Sequence, residues 1–376
     1  MAEIVILGSG FAGLTAVKTL RRRGYRGQIR LVSPKPELLY YPSLIWVPAG
    51  LRSEADLRIK LDGFFSRHQV EYVADRVTGL DPGARLVFTE ASGEIPFERL
   101  LIASGGQYIR KLPGLEHVFI PCVGWEPTKA YSDRLEQMTG GALSFGFAAN
   151  PNEPTGMRGG PMFEFLFGID TLLRRQGRRE RFELCFFSPA PKPGQRLGEK
   201  AFATLMAEMT KRGIKSHLGH KIESFAPDRV ITAGGELKSD LTLFMPGLTG
   251  PAWAPRSGLP LSPGGFIQAD ARCRVPGFEG VVYIAGDAGS FPGPEWMPKQ
   301  AHAADLQARA AVKNLLAEKA GKTAEQGFRP ELICIVDTLD AGVLVFRDIK
   351  RSLLLGGSYL HWVKRAFESY YLRSYR

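Results

Sequence analysis

Of 376 residues only four are cysteine, at positions 122, 185, 273 and 334, and no two of them form a C-x-x-C pair. That scarcity excludes a disulfide scaffold and a thiolate-bound zinc site. No apolar run approaches the roughly 20 residues that a membrane-spanning helix needs. Ahead of the first strand-like run, Ile4-Val5-Ile6-Leu7, there is no room for a signal peptide, so an intracellular setting is expected. Repeats and low-complexity tracts are also missing. Acidic residues are outnumbered, 38 against 49 Lys and Arg, which gives a formal charge of +11. A basic excess admits nucleic acid, anionic lipid or an anionic cofactor as partner. The lack of any recognition motif argues against nucleic acid.

What is present is glycine at one informative place. Ile4 to Leu7 reads as a buried strand, Gly8-Ser9-Gly10-Phe11-Ala12-Gly13 follows, and Leu14 to Arg22 continues with helical periodicity. The first glycine permits a tight turn, the second lets the backbone approach a pyrophosphate, and the third lets helix pack on strand. The phosphates then face the helix N-terminus. Gly8, Gly10, Phe11, Ala12 and Gly13 are therefore expected to hold a dinucleotide.

The next strand, Gln28 to Val32, runs into Ser33-Pro34-Lys35, where an acid would ordinarily hold a ribose about 20 residues after the glycines. The Ser33 hydroxyl can still bond the ribose, and Lys35 admits a second interpretation as a 2′-phosphate reader. A downstream signature favours flavin. Val281 to Ala285 is a strand ending in Gly286-Asp287, and Pro298-Lys299-Gln300-Ala301 opens a helix through about Lys319. Asp287 is expected on the ribityl chain, and the helix N-terminus, with Lys299 and Gln300, on the flavin ring, where it stabilises charge on the reduced form. Leu101 to Gly106, with Ala103, Ser104 and Gly105, forms a third element. Between Gly106 and about Asp240, Ala142 to Phe145 and Phe182 to Phe187 read as strands, with Met162 to Arg174 and Glu199 to Lys211 as helices. The expected fold is α/β, with two Rossmann-like three-layer domains. An FAD domain (1–108 and 241–320) is split by an insert at 109–240, and a C-terminal docking region follows at 321–376.

These elements resemble the two-dinucleotide-binding-domain flavoproteins, and within them the sulfide:quinone oxidoreductases. The resemblance rests on LVSPKPELLYYPSLIWVPAG (31–50), GPMFE (160–164), AGD (285–287), PKQAH (298–302) and HWVKRAFESYYL (361–372). It implies FAD, sulfide as electron donor, a membrane quinone as acceptor, and redox cysteines beside the flavin. By the same resemblance Pro42, Val77, Gly160 and Pro161 join the cofactor contacts. Cys122 and Cys334 match two of the family's three cysteine positions. Arg158 stands where a typical member carries the other, which puts the usual disulfide in doubt. From the residues alone, Cys122 and Cys334 read equally as small buried hydrophobes, Cys185 as a core residue and Cys273 as a loop thiol.

The second nucleotide loop is replaced by FGFAANPNEPTGMRGGPMFEF (145–165). Its prolines remove amide donors and stiffen the backbone, so a second phosphate cradle is not expected. Glu164 reads either as a proton acceptor or as an acid favoured at a helix start. His217 and His220 lack a third ligand and read as structural. Lys299 reads also as an ordinary surface lysine.

In the tail, Tyr359, Leu360, Trp362, Val363, Ala366, Phe367, Tyr370 and Tyr371 fall on one half of a helix, and His361, Lys364, Arg365 and Glu368 on the other. Residues 347–376 carry a net +5. Aromatic residues beside basic ones suit an interfacial helix on anionic lipid, and a core-packed helix is the other reading. Phe346, Lys350 and Phe367 are the expected quinone contacts, with Lys350, Lys364 and Arg365 at headgroups, on a peripheral protein of the cytoplasmic membrane. Two other functions fit less of the pattern: an NAD(P)H:quinone oxidoreductase, and a flavin-binding, redox-regulated interaction protein without sulfide activity.

Overall fold

The computed structural model describes residues 2–376. A strand covered on both faces is apolar throughout rather than alternating, and Ile4 to Leu7 are all fully buried. They form β1 (Ala2–Leu7), which leads through the glycine turn into α1 (Phe11–Arg22). Around β1 a sheet assembles from β2 (Ile29–Ser33), β3 (Val70–Ala74), β4 (Val77–Asp81), β5 (Leu86–Thr89) and β6 (Glu94–Ile102), in the order β3-β2-β1-β6-β5-β4. The first four in that order are parallel, and β4 and β5 add an antiparallel hairpin.

The inserted unit is a second parallel sheet. It comprises β7 (Gly141–Phe147), β8 (Phe182–Ser188), β9 (Lys215–Leu218) and β10 (Leu241–Met245), in the order β9-β8-β7-β10. Helices α2 (Trp125–Gln137), α3 (Gly160–Arg175) and α4 (Glu199–Lys211) pack around it. The chain then returns to the first sheet. There β11 (Val282–Ile284) lies parallel to the C-terminal half of β6, opposite β1, and leads to α5 (Ala301–Lys319) against α1. The stretches before and after the insert thus complete one sheet.

Beyond α5 lies a three-stranded antiparallel sheet: β12 (Leu332–Asp337), β13 (Gly342–Arg347) and β14 (Ser352–Gly357). Helix α6 (Tyr359–Leu372) follows and packs on β12 and β13. Cys185 lies in the core of the second sheet. Cys273 lies in a loop, as expected, but there it is fully buried, at a φ of 63°, and burial pushes its thiol well above the ordinary range.

Helix α6 is amphipathic in the reverse sense of a core helix. Its polar stripe, His361, Lys364 and Glu368, faces the protein. His361 Nδ1 lies 2.9 Å from Asp337, Lys364 pairs with Glu164, and Glu368 accepts from Ser43 and Arg52 at 2.8 Å each. Its aromatic face points out, with Tyr359, Trp362, Phe367 and Tyr370 between 54% and 74% exposed. Leu353 and Leu355 of β14 and Ile349 of the β13–β14 turn are exposed on the neighbouring sheet.

Candidate functional site

One cavity of about 1490 Å³ runs between the two Rossmann-like units and under α6, larger than the roughly 300–1,000 Å³ of most small-molecule sites. Its first wall is the glycine turn. Gly8 has a φ of 106° and sits so close to β6 that a Cβ would lie 2.4 Å from the Ala103 carbonyl oxygen. Gly10 caps α1 with nothing within 4 Å of its would-be Cβ, so a side chain there would project into free space. Gly13 does not reach the cavity. It brings helix against turn, since its Cβ would fall 2.0 Å from the Gly8 oxygen.

Ser33 and Pro34 line the wall beyond, and the Ser33 hydroxyl donates to the Lys35 carbonyl at 3.0 Å, leaving its lone pairs available to a ribose. Pro42, Ala103, Ser104 and Gly105 continue the wall, and Gly286, Asp287, Lys299 and Gln300 close it. Ser104 Oγ and Gln300 Oε1 are out of solvent yet have no hydrogen-bond partner among the described residues. Open space at Gly10, orphaned polar atoms at Ser104 and Gln300, and the N-termini of α1 and α5 together suit FAD. Lys299 donates to the Gly289 carbonyl at 2.7 Å and lies 3.8 Å over the Phe266 ring. Burial lowers its pKa to about 8, with Asp287 opposing.

The opposite wall is the strap between β7 and α3. Gly160 opens α3, with Pro161 in the first turn, and a Cβ on Gly160 would lie 3.6 Å from Cys334 Sγ. Cys334, on β12, has its thiol pushed up to about 12 by burial, with Glu164 adding to the effect and Lys364 opposing it. Glu164 is buried, accepts the Asp337 amide at 3.0 Å and pairs with Lys364. Burial raises its carboxyl while the Lys364 charge holds it down. Cys122 also lines the cavity, its thiol pushed up to about 11 by burial and held down by the Arg158 guanidinium. Arg158 pairs with Asp287. The Tyr108 hydroxyl faces Arg158 and Cys122 but makes a well-formed hydrogen bond to neither.

Besides Gly13, five expected contact residues are placed differently. Lys35 points to solvent, with its side chain 70% exposed beside Glu37. Val77 is on β4, where it packs with the cluster around Trp253 on the far side of the sheet. Phe346 falls on the same face of β13 as the cavity-lining Leu344 but two residues beyond the edge, and Lys350 sits in the exposed β13–β14 turn. Lys364 is turned inward to Glu164 rather than outward to headgroups. Phe367 does line the cavity, beside Val363, Ile333 and Leu344. Sequence reasoning missed Arg52, Glu368 and the pairing of Arg158 with Asp287. No local pattern signals contacts 316 and 129 residues apart.

A glycine turn under one Rossmann-like sheet, a second such unit inserted, and a large cavity between them whose wall suits a dinucleotide define a two-dinucleotide-binding-domain flavoprotein with FAD as cofactor. The family described as pyridine nucleotide-disulphide oxidoreductase matches residues 2–138. The sulfide-quinone reductase of Aquifex aeolicus is 23% identical over 98% of this chain and 90% of its own length. The type II NADH:quinone oxidoreductase of Mycobacterium tuberculosis is 25% identical over 85% of this chain and 73% of its own. Among solved structures, the sulfide:quinone oxidoreductase of Aquifex aeolicus superposes with a TM-score of 0.91 at 21% identity, covering 100% of this chain and 92% of that one. Within the flavoprotein class the chain is thus similar along nearly its whole length to a sulfide-quinone reductase, in sequence and in fold.

Proposed function

We propose that this protein transfers two electrons from sulfide, through cysteine sulfur and FAD, to a quinone dissolved in a membrane. The observation that carries the reading is that Cys334, Cys122, the cofactor wall and the apolar lip of Phe367, Val363 and Ile333 all border one continuous cavity. When bound, FAD accepts an electron pair from a sulfur donor and passes it to an acceptor. Cys334 supplies the sulfur that bonds to the sulfur of sulfide: thiol and hydrosulfide give a cysteine persulfide anion, two protons and two electrons, and that electron pair is the one FAD would take up when bound. Its raised pKa means that the thiol must lose a proton first, and Glu164, held by Lys364 and the Asp337 amide, is placed to take it. Cys122, beside Arg158, is the second sulfur, and the guanidinium favours its thiolate.

Quinone ring and tail partition into lipid, so the acceptor enters at the apolar lip. Among the described residues no helix is long and apolar enough to cross a membrane. The outward aromatic face of α6 and the exposed leucines of β14 form the docking surface, in keeping with interfacial helices. Deleting α6 would strip Glu164, Asp337 and Arg52 of their partners and damage the fold. The cleaner variant is Tyr359→Ser/Trp362→Ser/Tyr370→Ser, whose side chains are exposed and do not line the cavity. It should lose liposome binding and react slowly with a long-tailed quinone while keeping FAD and its rate with a short-tailed one. Full liposome binding would remove the membrane assignment.

The sulfur step is tested by Cys334→Ser. Serine cannot form a persulfide, so the holoprotein should stay yellow under anaerobic sulfide, with reduction slowed about 1,000-fold or more, in line with loss of a covalent nucleophile. Normal reduction would make Cys334 structural.

A further inference from the structure

The charges on the cavity wall are mostly answered. Arg158 pairs with Asp287, Lys364 with Glu164, and Lys299 donates to backbone carbonyls. Arg110 and Lys111 also line it without an ion pair but are exposed, so among the partly buried charges Arg196 is the exception. Its Nη2 is out of solvent without a hydrogen-bond partner, and it has no ion pair among the described residues. Burial lowers its pKa to about 10, and the acid acting on it, Glu295, is on the exposed surface. A buried cation without a counter-charge is costly. Its position is nonetheless fixed, because Arg347 Nη1 donates to the Arg196 carbonyl at 2.8 Å while stacking 4.8 Å from Trp296.

The surroundings restrict which anion fits. Arg196 follows Ser188-Pro189-Ala190-Pro191-Lys192-Pro193, where alternate prolines withhold amide donors, so the loop offers no nest for a phosphate dianion. Its cavity-lining neighbours are apolar: Leu197, Trp296, and Gly194 over the Phe163 ring. One weakly hydrated guanidinium among apolar walls suits a small, soft monoanion. Gly194, Trp296 and Lys299 line the same cavity, and the Arg196 charge is felt at Lys299.

We propose that Arg196 is the anion-binding residue of a separate subsite for a sulfur monoanion, hydrosulfide or the hydropolysulfide formed from it, with Arg347 at its mouth. The chemical class rests on the sulfide-oxidising reading above, whereas the site itself rests on the unpartnered guanidinium. The charge balance of turnover agrees with it. Hydrosulfide and a cysteine persulfide anion give a cysteine thiolate and a hydrodisulfide anion, so one monoanion enters and another leaves.

The test uses the FAD-loaded full chain and labelled thiocyanate, a non-reducing soft monoanion, in equilibrium dialysis. The wild type should take up about one equivalent at saturation. Arg196→Met should bind at least tenfold more weakly, and Arg196→Lys, which keeps the charge, should fall between them. In sulfide turnover the Met variant should raise KM for sulfide about tenfold, with the change in KM exceeding that in kcat. Unchanged thiocyanate binding in Arg196→Met would overturn the subsite. So would loss of FAD from that variant with an unaltered melting temperature, because the guanidinium would then be a cofactor partner. If Arg196→Met does not fold, thiocyanate binding by Arg196→Lys decides: retention supports the site, and complete loss overturns it. Arg196-dependent binding in a protein that fails to oxidise sulfide would keep the subsite and remove only the sulfide reading.

Discussion

The loop after β1 and the strap after β7 occupy equivalent positions in two similar sheets, yet one is open and the other closed. In the first, glycines bring backbone together at Gly8 and Gly13 and leave free space at Gly10. In the second, the space is filled from within. A Cβ on Gly159 would meet the Phe147 ring at 2.6 Å, and Phe147, Phe163 and Phe186 stack at 5.7 and 5.0 Å. The amide donors are also taken: Gly156 N bonds the Glu153 oxygen at 2.8 Å, Asn152 N bonds Asn150 Oδ1 at 3.0 Å, and positions 151 and 154 are proline. Asn150 then ties the strap to the Leu248 and Gly264 carbonyls at 2.8 Å each, and Glu153 accepts from Ser290 at 2.8 Å. A phosphate site needs empty space beside N–H groups, and that space is open at Gly10 but filled by the Phe147 ring at Gly159.

The sharpest way to break this contrast is to close the open loop. Gly10→Val should abolish FAD binding, with affinity down by about 100-fold or more, because its side chain enters the space the pyrophosphate needs. The flavin-to-protein absorbance ratio of the purified variant checks this, and a fully loaded yellow protein would contradict it. Opening the closed strap should have a smaller effect. Asn150→Ala removes the side-chain donor of the Leu248 carbonyl, while the Gly264 carbonyl keeps the Thr249 hydroxyl, and should cost about 1–3 kcal/mol, read as a lower denaturation midpoint. It should not create NADH oxidation, since the phenylalanine stack remains.

Much of the first loop was legible in the sequence, because strand, glycine turn and helix are contiguous and each glycine has a local steric reason. The α3 and α4 helices and strands β1, β2, β7, β8 and β11 followed from periodicity for the same reason. The direction of α6 was not legible. A helical period separates two faces but does not say which is inside, and here buried Glu164, Asp337 and Arg52 claim the polar one. Val77, given by resemblance, and Lys35, given by its place after a strand, failed because neither position carries the packing that turns the side chain.

Smaller effects sharpen the strap's chemical side. With its thiol pushed up to about 12 by burial, Cys334 is protonated at neutral pH. Its alkylation by iodoacetamide in the holoprotein, followed by peptide mass mapping, should therefore climb about tenfold per pH unit from 7 to 10. A plateau near pH 8.5 would mean an unburied thiol. Arg158→Met removes the charge that opposes burial at Cys122 and should slow alkylation of Cys122 a few-fold at pH 8, whereas Arg158→Lys should restore most of the rate.

The central claim is that electrons enter from sulfur and not from a nicotinamide, and anaerobic bleaching of the bound flavin tests it most directly. Sulfide should bleach the oxidised flavin band within the turnover time, and NADH or NADPH at the same concentration should leave it unchanged over minutes. Rapid bleaching by a nicotinamide, with none by sulfide, would contradict the account.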